Sequence, residues 1–81
     1  MSNHKYDPED FRGMLNLSDE LANFYRLHDD YAANKTQDKR LNLEKHGRDL
    51  FFTIKHRKVE GALTAAMAQE ILEYIEELLD D

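Results

Sequence analysis

Four histidines, seventeen carboxylates and no cysteine are the reactive material of this chain, and their spacing decides what chemistry is open to it. Thiolate nucleophiles, thiolate zinc sites and disulfide staples are excluded outright. His4, His28, His46 and His56 have no short metal-ligand spacing, and no HExxH segment occurs, so no metal site is expected. Asp29-Asp30 opens no calcium loop, because Ala32, Ala33 and Asn34 supply neither the ligand series nor the glycine. No glycine-rich phosphate loop is present, and Ser18 lacks the setting of a nucleophile. The chain reads as a non-enzyme without cofactor, metal or evident small-molecule substrate. His28 on the apolar face of the first helix and His46 at the border of the second helix's bundle face could form a pH-sensitive contact.

What the polar residues do show is an internal polarity of charge. Residues 1–34 carry a net charge of −4, residues 35–58 carry +5, and residues 59–81 carry −7. A basic centre between acidic flanks is a statement about partners rather than about fold.

The elements that position these charges follow from periodicity. Hydrophobic residues make up 41% and charged residues 35%, which suits one small helical domain with much surface. Gly 3 and Pro 1 leave too few turn residues for an all-β fold. Residues 1–6 are expected to form a flexible arm, and 7–81 a single helical domain. Asp7-Pro8-Glu9-Asp10 signals a helix start. Phe11, Met14, Leu17, Leu21, Phe24, Tyr25, His28, Tyr31 and Ala32 then recur on one face, so the phase predicts a first helix over about 8–33. Gly13, Asn16 and the cap-like Ser18-Asp19-Glu20 mark the alternative, a break near 16–18. At 1.5 Å per residue an unbroken helix would be roughly 39 Å long against roughly 23 Å for the third. Either a second copy covers its excess stripe or the break folds the first turns back.

Thr36 is the expected cap of a second helix over 37–60, which Gly61 ends. Thr64 caps a third over 65–79, with Leu63 stapled to Ala68. Met67, Ala68, Ile71, Leu72, Ile75, Leu78 and Leu79 form its inner face. The predicted fold is all-α, an up-down-up three-helix bundle. With no signal peptide and no apolar run of about 18 residues, no membrane span is expected and the address is cytoplasmic.

The second helix has two faces. Leu43, Gly47, Leu50 and Ile54 lie together, with Phe51 at their edge, and should face the bundle. Opposite them run Leu41, Lys45, Arg48, Phe52, Lys55 and Val59, an apolar line interleaved with cations. Two readings compete. In one, the buried arc of the middle helix is wide and its cations pair with acids of the neighbouring helices. In the other, Leu41, Phe52 and Val59 form an exposed strip ringed by Lys45, Arg48 and Lys55, suited to an acidic protein partner or, in a homodimer, a second subunit. Nucleic-acid binding through Lys45, Arg48, Lys55, Arg57 and Lys58 is the weaker use of that face, because the third helix has no Lys or Arg and would repel phosphate. Glu70, Glu73 and Glu77 form an acidic ridge, a solvated face or the surface of an inhibitor or nucleic-acid mimic that binds a basic partner through helices 1 and 3. The leading functional expectation is a non-catalytic protein-protein interaction module.

Overall fold

The first helix is broken, and the break is made by the two residues that enter left-handed backbone most cheaply. In the computed structural model, which describes residues 4–14 and 16–80, Asp7 caps a short 3-10 turn over Pro8–Phe11, its carboxylate accepting from the Glu9 N–H at 3.0 Å. The chain then leaves helical geometry at Arg12 and passes through Gly13 at φ +96° and Asn16 at φ +64°. Gly and Asn pay the smallest steric penalty for that region.

Helix α1 begins only at Leu17 and runs Leu17–Ala33, with Asp19 and Glu20 in its first turn, where the dipole favours negative charge. The expectation of a continuous helix over 8–33 is therefore corrected, and the alternative of a break holds. It starts at Arg12, somewhat earlier than 16–18. The apolar phase hid it because Phe11 returns to the same core from another direction and is buried there.

Helix α2, Gln37–Val59, starts at Thr36, whose hydroxyl accepts from Lys39 N–H at 3.3 Å. It ends in a Schellman motif: Ala62 N–H donates to the Arg57 carbonyl at 2.9 Å and Gly61 N–H to that of Lys58 at 3.0 Å, with Gly61 at φ +86°. Helix α3, Ala65–Asp80, is capped by the Thr64 hydroxyl, which accepts from Met67 N–H at 3.1 Å. Leu63 and Ala68 are both buried, as the staple requires. Three helices joined by short connections make the up-down-up bundle, and no strand occurs among the described residues.

The core is Phe24, Leu17 and Leu21 of α1, Leu43, Leu50 and Ile54 of α2, and Ile71 and Ile75 of α3, all without measurable exposure. Gly47 sits at the tightest point. A Cβ there would stand 3.1 Å from Leu79 and 3.3 Å from Phe24, so its missing side chain is what lets α1 and α3 both close on the middle helix. Two residues assigned to inner faces lie outside: Ala32 is exposed, and Met67 is 38% exposed beside Leu63, Phe11 and Met14.

Of the stretch expected as an arm, residues 1–3 lie outside the described residues. His4, Lys5 and Tyr6 are held between α1 and α3. The His4 ring stacks on Tyr25 at 3.8 Å between centroids, and its Nδ1 lies 3.1 Å from the Tyr74 hydroxyl. Lys5 N–H donates to that hydroxyl at 3.1 Å, while Tyr25 donates to the Tyr6 carbonyl at 2.8 Å.

Candidate interaction surface

Helix α2 touches α1 on one flank and α3 on the other, which leaves a single outward line. On the α1 side the Thr53 hydroxyl donates to Glu20 at 2.6 Å, and on the α3 side Gly47 meets Leu79. Between these flanks, at about 100° per residue, Leu41 and Val59 are five full turns apart and Phe52 falls on the same line. All three are exposed, by 55% for Leu41, 75% for Phe52 and 83% for Val59. Beside them Lys45, Arg48 and Lys55 are exposed as well. Leu43, Gly47, Leu50 and Ile54 are buried behind them, and Phe51 is half-buried at the edge. The two faces of the second helix thus separate as the sequence reading divided them.

Ion pairing on α2 leaves the outer line out. Lys39 meets Asp30 of α1 at 3.1 Å, Arg40 meets Glu44 at 3.5 Å, and Arg57 meets Glu60 at 3.1 Å. Among the described residues no carboxylate lies within 4 Å of Lys45, Arg48 or Lys55, so the expected pairing of these three with neighbouring helices does not form. Their charge stays in solvent next to Phe52. Arg48, Phe51, Phe52 and Lys55 together line an open hollow of about 220 Å³, the two aromatic residues standing between the two cations along the helix.

The acidic ridge is also exposed. Glu70, Glu73 and Glu77 project from α3, with Gln69 Nε2 donating to Glu73 at 3.0 Å. Carboxylates at this spacing repel one another weakly.

The histidines are placed differently from the pairing that helix phase permits. His46 is turned to its own helix, where Nδ1 donates to the Asn42 carbonyl at 2.9 Å. His28 instead has His4 as its neighbour, with ring centroids 6.1 Å apart, and the Asp29 carboxylate lies 3.4 Å from His4 and 3.9 Å from His28. Helix phase could not show this, because His4 is outside every helix. Tyr25 and Tyr74 complete the cluster at 6.3 Å between centroids. Burial, reinforced by Tyr74 beside it, pushes the Tyr25 phenol well above its ordinary pKa. Tyr74 was legible in principle, since it falls three residues after Ile71. Among the described residues no group of three or more His, Cys, Asp or Glu side chains could hold a metal ion, and no helix is long and apolar enough to cross a membrane.

The geometry defines a small all-α bundle whose middle helix presents an unpartnered apolar and cationic line. No family model, no curated protein and no solved structure matches the chain.

Proposed function

We propose that the chain is a cytoplasmic, non-catalytic protein-interaction module that docks its partner on the outer face of α2. The observation that carries this reading is Phe52: a phenylalanine 75% exposed, aligned with exposed Leu41 and Val59 and flanked by Lys45, Arg48 and Lys55. A single exposed apolar side chain is ordinary, whereas an aligned set of three with cations interleaved is a feature expected of an interaction surface. Cations beside it add steering and specificity.

The test compares the wild-type chain with Phe52→Glu in affinity capture from the source cell at low salt, with light scattering for mass and far-ultraviolet circular dichroism for helix content. The variant should keep its helix content and lose the captured protein. Capture unchanged by Phe52→Glu refutes the docking face, and loss of helix content would place Phe52 in the core.

A further inference from the structure

We infer that the occupant of the α2 face is an acidic amphipathic helix of a different protein, an inference that rests on the docking reading above. The length and straightness of the line point to a helix. Leu41 to Val59 spans five turns, roughly 27 Å at 1.5 Å per residue, and stays parallel to the axis of α2. A partner helix of similar length can follow it from end to end and set large apolar side chains against Leu41, Phe52 and Val59.

Charge selects the kind of helix. Lys45, Arg48 and Lys55 have no carboxylate within 4 Å among the described residues, whereas Lys39, Arg40 and Arg57 do; Lys58, which lies off this face, is likewise without one. An interface that covered these three without supplying anions would desolvate unpaired charge, a cost that glutamates or aspartates on the incoming helix remove.

Two occupants drawn from this chain fit less well, one by charge and the other by apolar cover. The line is symmetric about Leu50, so two antiparallel copies of α2 could register with Leu41 against Val59 and Arg48 against Phe52. That register also sets Lys45 of each copy against Lys55 of the other, twice, and gathers the cations of both copies in one interface, with Asp38 and Asp49 only at its α1-side border. The acidic ridge on α3 of a second copy has the right charge. Its exposed line through Glu70, Glu73 and Glu77 offers Ala66, too small to cover Phe52, and at its edge only the partly exposed Met67, which lies beside Phe11, Met14 and Leu63.

Single-stranded nucleic acid would stack on Phe51 and Phe52 and pair with the cations. Exposed Asp38 and Asp49 border the line on the α1 side, and on the other side α3 carries no cation. A continuous phosphate chain meets both flanks, whereas a helix places its carboxylates only where the cations stand.

The experiment is fluorescence anisotropy with three labelled probes. The first is a helical peptide of roughly 20 residues with leucines on one line and glutamates beside them. The second has lysine at every glutamate, and the third is single-stranded DNA of similar length. Light scattering on the protein alone runs in parallel. The glutamate peptide should bind at least about tenfold more tightly than the other two probes, and Phe52→Ala should weaken it by about tenfold. The double substitution Lys45→Gln with Lys55→Gln should weaken it and flatten its salt dependence. Failure of the glutamate peptide to bind, equal binding of the lysine peptide, or tighter binding of DNA overturns the inference. So does a dimer that Phe52→Glu dissociates. A Phe52-dependent dimer or DNA complex leaves the docking face standing and removes only its acidic helix. Indifference of every ligand and of the mass to Phe52 removes the face itself.

Discussion

Truncating Phe52 to alanine should leave the folding free energy almost where it was, although phenylalanine is among the costliest residues to truncate in a core. Folding withdraws only about a quarter of this residue's surface from water, since 75% of it stays exposed. Full burial of a phenylalanine stabilises by about 1.5–3 kcal/mol, so a quarter of it is worth roughly 0.4–0.8 kcal/mol. Alanine is the better helix former by roughly half a kcal/mol in a helix interior, which offsets most of the loss. The net change should lie within about 0.5 kcal/mol of zero, beneath a thermal shift of roughly 4 °C for a domain of this size. The internal reference is Leu50, two residues away on the opposite face and fully buried. Leu50→Ala should cost about 2.7–5 kcal/mol, by lost transfer energy plus the cavity left beside its core neighbours. Urea unfolding followed by circular dichroism reads both variants against wild type, with an unchanged m-value as the check on two-state behaviour. A loss above about 1.5 kcal/mol for Phe52→Ala would refute the reasoning. If that loss grew with protein concentration, the cover would be another copy of the chain.

Three further outcomes follow from named atoms. Gly61→Ala should cost about 1 kcal/mol through its φ of +86° rather than by collision, since nothing lies within 4 Å of the added Cβ; thermal unfolding of the variant checks it, and no loss would contradict the left-handed cap. Thr64→Ala removes the oxygen that accepts from Met67 N–H at 3.1 Å and should cost about 1 kcal/mol, read by the same melt. Burial raises the Tyr25 pKa above its ordinary value near 10, so the folded state prefers the protonated phenol: stability from this group is intact below about pH 10 and declines as pH rises above it, by at most about 1.4 kcal/mol per pH unit. Tyr25→Phe should therefore make the alkaline loss of stability shallower, while costing about 0.5–1.5 kcal/mol at neutral pH for the lost bond to the Tyr6 carbonyl. Urea titrations from pH 8 to pH 11 test it, and an unchanged alkaline slope would count against the buried phenol.

What the sequence revealed of this fold is what local rules control. Thr36, Gly61 and Thr64 were legible because a cap needs only the next few residues, and Leu43, Gly47, Leu50 and Ile54 because one helical period separates a buried face from an exposed one. The same period concealed the break at residues 12–16, since Phe11 and Met14 keep the right phase while reaching the core by another route. Whether Phe52 is covered depends on where α1 and α3 lie, which periodicity along α2 does not contain. Leu41, Phe52 and Val59 could be grouped from the sequence, but their exposure and the missing partners of Lys45, Arg48 and Lys55 needed the neighbouring helices in place. Arg57, counted among the basic residues of that helix, is instead 9% exposed beside Glu60. The cluster of His4, Tyr6, Tyr25 and Tyr74 was out of reach for a different reason. No pattern within one helix reports a contact between residues 4 and 74.

That contact sets an order of assembly. His4 leaves the ribosome some 70 residues ahead of Tyr74, and the pocket that receives it needs both Tyr25 and Tyr74 in position. The contacts of residues 4–6 with Tyr25 span only about twenty residues, whereas those with Tyr74 span about seventy and need α3 in place. The first residues described can therefore complete their pocket only once the last helix of the chain has been made.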